Sequence, residues 1–71
     1  MKTKSEYTKL IAATIEKTHA ITGVKVAWAQ FQTTRTPTGL TMLAGRLTVS
    51  HPEFKPKSFM FWADAGSWSI R

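Results

Sequence analysis

The hydrophobic period of this sequence changes once, at Gly23, and that change restricts what the chain can become. Before it, Tyr7, Leu10, Ile11, Thr14, Ile15 and Thr18 recur at spacings of three and four, the signature of one stripe along an α-helix. After it, apolar and polar residues alternate, as on strands with one face covered. A helix from about Lys4 to Ala20 is therefore expected to precede a sheet, with no second helix to cover the sheet's other side.

The helix carries its own punctuation. Thr3 followed by Glu6 has the spacing of a capping box, in which the hydroxyl accepts from an orphan amide and the carboxylate reaches back to the cap. Gly23 is the expected left-handed stop.

Four strands are expected after it. The first runs from Val24 to Gln32, and 33–39 reads as a polar loop broken by Pro37 and Gly39. Leu40 to Ser50 is the second strand. Pro52 and Pro56 deny donors to a ladder, so 51–56 reads as a connection. Lys57 to Ala63 is the third strand, Asp64 to Gly66 a tight turn, and Ser67 to Arg71 a short fourth strand. The expected fold class is α+β: an N-terminal amphipathic helix packed on a four-stranded antiparallel sheet, α-β-β-β-β in meander order.

Alternation assigns Val24, Val26, Trp28, Leu43, Leu47, Val49, Phe59, Phe61, Trp68 and Ile70 to the face under the helix. The opposite face is expected to carry Lys25, Phe31, Met42, Arg46, Met60, Trp62 and Arg71. A slip of one residue in any strand would exchange its two faces.

A chain of 71 residues has room for one domain, 1–71, with one modest core, and 42% hydrophobic residues suffice to fill it. Small folds are often stapled by disulfides or zinc, but there is no Cys, and His19 and His51 stand apart without partners at ligand spacing. No metal or cofactor is expected, which leaves a good core or a homodimer as the source of stability. No signal-like apolar run and no span of about 20 apolar residues occurs, so a soluble cytoplasmic protein without membrane contact is the expectation.

Ten Lys and Arg against four acids give a net charge of +6. A field of that sign attracts polyanions, nucleic acid first and acidic protein faces second. Rings interleaved with cations on an open sheet suit single-stranded nucleic acid, because rings stack on bases while cations hold phosphates. The leading reading is a non-enzymatic, nucleic-acid-binding protein that uses Lys25, Arg46, Trp62 and Arg71 on the sheet and Arg35, Lys55 and Lys57 on loops. The plainer reading makes Trp62, Met60 and Met42 core residues, of this subunit or of a symmetric dimer. The rival function is a protein-binding inhibitor or adaptor, for instance of mobile-element origin, that docks on an acidic face of a larger protein.

Catalysis is not expected. Glu6, Glu16, Glu53 and Asp64 are the only carboxylates, none is paired at acid and base spacing, and there is no glycine-rich phosphate cradle or nucleophile elbow.

Overall fold

A computed structural model of the chain describes residues 2–71. Helix α1 spans Lys4–His19, and four strands follow: β1 Lys25–Arg35, β2 Thr41–His51, β3 Phe54–Ala63 and β4 Trp68–Ile70. They form one open antiparallel sheet in the order β1-β2-β3-β4. The expected α+β meander is the observed fold.

The helix starts where Thr3 and Glu6 place it. The Thr3 hydroxyl accepts from the Glu6 amide at 3.2 Å, and the Glu6 carboxylate accepts from the Thr3 amide at 3.1 Å. Its end differs from expectation. Ala20, not Gly23, takes the left-handed cap at φ 54, and Gly23, at φ 85, serves the connection to β1. The Glu16 side chain makes that route possible by accepting from the amides of Gly23 at 2.9 Å and Val24 at 3.2 Å.

The helix packs on the face that alternation selected. Tyr7 and Ile11 are buried against Leu43, Leu47, Phe61 and Ala63, with Leu10, Ile15, Val26, Trp28, Val49, Phe59, Trp68 and Ile70 around them. Val24 is buried too. The stripe is rotated relative to the sequence pattern: Thr14 and Thr18 are exposed, and Thr8 is half-buried, its hydroxyl accepting from the Trp28 indole N–H at 2.7 Å. A Thr can join the buried side only when such a partner satisfies it.

One member of the expected open face belongs to the core. Pairing runs Trp28 to Leu47 and then Gln30 to Arg46, so Ala29 is an extra residue and β1 bulges there. Beyond the bulge the faces of β1 exchange. Phe31 turns under the helix, its ring 5.0 Å from Trp28 and 6.1 Å from Phe61, while Gln30 and Gln32 move to the open side. Gly45 lies opposite Phe31, and a Cβ there would run into the Gln30 carbonyl. The bulged strand thus approaches β2 too closely for any side chain at that position.

The remaining corrections concern loops. Arg35 is the last residue of β1, and the turn after it is confined to 36–40, closed by Gly39 N–H to Thr36 O at 2.9 Å with Gly39 at φ 85. Lys55 and Lys57 lie in β3, which starts at Phe54 after a turn holding only Pro52 and Glu53. Pro56 is tolerated inside that strand for a reason of geometry. Phe54 pairs with His51 and Lys57 with Val49, so three steps along β3 answer two along β2, and Pro56 falls in this bulge, where the ladder is interrupted and a missing donor is tolerated.

The long axis measures 43 Å against 20 and 18 Å for the others. Eleven residues of β1 extend about 36 Å, whereas the helix reaches only about 24 Å. The far end of the β1–β2 hairpin, with Arg35 and the exposed Leu40, therefore projects beyond the helix.

Candidate nucleic-acid interface

The open face is built in rows across the strands. Gln30, Arg46 and Met60 are successive cross-strand partners, and Arg71 bonds to Met60 as the fourth member. The next row is Gln32, Ala44, Trp62 and Ser69. Neighbouring strands stand about 4.8 Å apart, so Arg46 and Arg71, two strands from each other, flank Met60 at a backbone separation of about 10 Å.

Two large apolar side chains on this face stay in solvent: Met60 is 62% exposed and Trp62 42%. The Arg71 guanidinium lies over the Trp62 ring, 5.5 Å from its centre, within cation–π range. Ala44, directly opposite Trp62 on β2, is small and leaves the indole face clear. A shallow hollow of about 140 Å³ runs from Trp62 past Met42 and Ser69 to Ser67 and Asp64.

Lys25 shares this face but not this row. Its partner is Ser50, four residues along β2 from Arg46, which sets it about 13 Å away with Thr48 and Ser58 between. Ala27 and the hydroxyls of Thr48 and Ser58 form the row in the interval.

The face owes its sign to what the strands omit. None of the strand residues is acidic. All four carboxylates serve the helix or the turns. Hydrogen bonds from the backbone and hydroxyl of Thr3 hold the Glu6 carboxyl below its ordinary value. Those from the amides of Gly66 and Ser67 do the same for Asp64. Glu16 caps the connection to β1, and Glu53 sits in the β2–β3 turn.

Of the residues read from sequence, Lys25, Arg46, Trp62 and Arg71 come together on the open face. Arg35 stands apart at the projecting end of the hairpin. Lys55 and Lys57 turn to the helix side, where they border a groove with Ile15 and His19, and the Lys57 ammonium lies 5.5 Å from the Phe59 ring. Gln30 was not anticipated, because only the bulge at Ala29 brings it to the arginine row. The one available signal was Gly45, since a glycine inside a strand marks a close backbone approach.

Among the described residues no polar or charged side chain is buried, and no three His, Asp or Glu side chains gather as metal ligands. No described helix is long and apolar enough to cross a membrane. Comparison with models of protein families, with curated proteins and with solved structures returns no match for this chain.

Proposed function

We propose that this chain binds single-stranded nucleic acid on the open face of its sheet. The observation that carries the reading is the row Arg46, Met60, Arg71 beside the exposed Trp62, on strands that contain no carboxylate. Unstacked bases offer ring faces to Trp62, and phosphates meet Arg46, Arg71 and Lys25. Gln30, Thr48 and Ser58 supply neutral hydrogen-bonding groups along the path between the cations. A single strand suits this geometry better than a duplex, because the site is a shallow ledge and paired bases keep their ring faces stacked. Binding here is reversible and non-enzymatic.

Fluorescence anisotropy of labelled oligothymidylate and oligouridylate, titrated with nuclease-treated protein at two salt concentrations, tests the reading. Saturable binding that weakens with salt and quenches tryptophan emission is expected. No saturation at the lower salt removes it.

A further inference from the structure

The opposite side of the molecule holds a second recognition feature that the open face does not use. Where α1 ends, a groove of about 250 Å³ opens between the helix and the sheet, floored by Ile15, Ile21, Val24, Val49 and Phe59. We infer that this groove docks an acidic peptide segment of a protein partner, one that presents an apolar side chain flanked by carboxylates.

The walls are set before any ligand arrives. Glu16 ties down the amides of Gly23 and Val24, and His51 bridges the far side. Its Nδ1 accepts from the Glu53 amide at 3.1 Å, which assigns the ring hydrogen to Nε2, and Nε2 donates to the Thr22 carbonyl at 2.8 Å. A groove held open in this way loses little conformational freedom on binding.

Charge and size select the occupant. Lys55 and Lys57 stand on the rim, and no carboxylate lines the groove. Phe54, 57% exposed, extends the apolar lip. The volume falls below the roughly 300–1,000 Å³ of typical small-molecule pockets and suits one or two side chains of a peptide. A second copy of this chain is a poor occupant, because it carries a net charge of +6 and no acidic strand residue to meet Lys55 and Lys57.

The test uses the full chain, ¹⁵N-labelled, and three synthetic hexapeptides: Asp-Glu-Leu-Phe-Asp-Glu, a version with Ser in place of Leu and Phe, and a version with Lys in place of every acid. The first is expected to shift the amides of Ile21, Val24, Val49 and Phe59 saturably, and the other two are not. The double variant K55E/K57E, altered only at exposed positions, weakens the first peptide by about tenfold or more. The variant K25Q/R46Q/R71Q leaves peptide binding unchanged while reducing oligonucleotide binding, so this inference and the proposed function can fail separately. The inference is overturned by no saturation into the millimolar range, by equal binding of the serine peptide, or by sedimentation showing that the groove closes on a second copy.

Discussion

The guanidinium of Arg71, at the end of the row that contains Arg46, lies 5.5 Å from the ring of Trp62 in the neighbouring row. Trp62 on this face is available for stacking, because Ala44 opposite it does not cover the indole. Trp62→Ala is therefore expected to weaken oligothymidylate binding by roughly 5- to 150-fold, the equivalent of about 1–3 kcal/mol. The ring is 42% exposed, so thermal unfolding followed by circular dichroism should change little. Unchanged affinity in this variant would remove stacking from the account.

The three cations of the open face set the salt dependence. If Lys25, Arg46 and Arg71 each neutralise one phosphate of a single strand, log affinity should fall against log salt with a slope of about −2. Each substitution to Gln should reduce that slope by about 0.7. Lys55→Gln, on the other side of the sheet, should leave it unchanged, and titrations over a salt series distinguish the two groups.

Gly45 is the residue on which the bulge depends. Gly45→Ala places a methyl group against the Gln30 carbonyl, and the expected cost is about 1–3 kcal/mol, as for other overpacked sites. Urea denaturation measures it. The same variant should disturb the resonances of Phe31, whose ring lies across from Gly45 under the helix.

That bulge also explains what the sequence could and could not reveal. The helix, its capping box, the strand order and the covered face of β2, β3 and β4 follow from periodicity, and they hold because each repeats over many residues. Phe31 broke the pattern because one extra residue, Ala29, reverses the faces of half a strand, and alternation cannot register such an insertion in a single sequence. Lys55 and Lys57 were misplaced for a different reason. Two prolines read as a loop, whereas Pro56 sits in a bulge of β3. Of the candidate site, the four residues on regular stretches of strand were legible, and those beside irregular backbone were not.

The hydrogen bond from Trp28 Nε1 to the Thr8 hydroxyl, at 2.7 Å, joins helix to sheet at a half-buried position. Thr8→Val keeps the shape and removes the acceptor. A loss of about 1 kcal/mol is expected, together with a shift of the Trp28 indole proton in the NMR spectrum.

Acid should loosen the start of α1 and the β3–β4 turn, which border one hollow. The carboxyl groups of Glu6 and Asp64 are held below their ordinary values by hydrogen bonds from Thr3 and from the amides of Gly66 and Ser67. A carboxylate whose pKa is depressed in the folded state adds stability above its unfolded pKa, and that stability is lost as pH falls through the folded value. Stability measured by urea at stepped pH should therefore decline below the ordinary carboxylate range. The variant E6Q/D64N, which retains acceptor oxygens but cannot titrate, should decline less steeply.

The most direct test of the open face as the binding surface is a ¹⁵N NMR titration of the protein with oligothymidylate at low salt. The account predicts that Gln30, Arg46, Met60, Arg71 and the Trp62 indole shift together, while Val24, Val49 and the amides of α1 stay in place. Shifts confined to the helix side, or none at all, would contradict it.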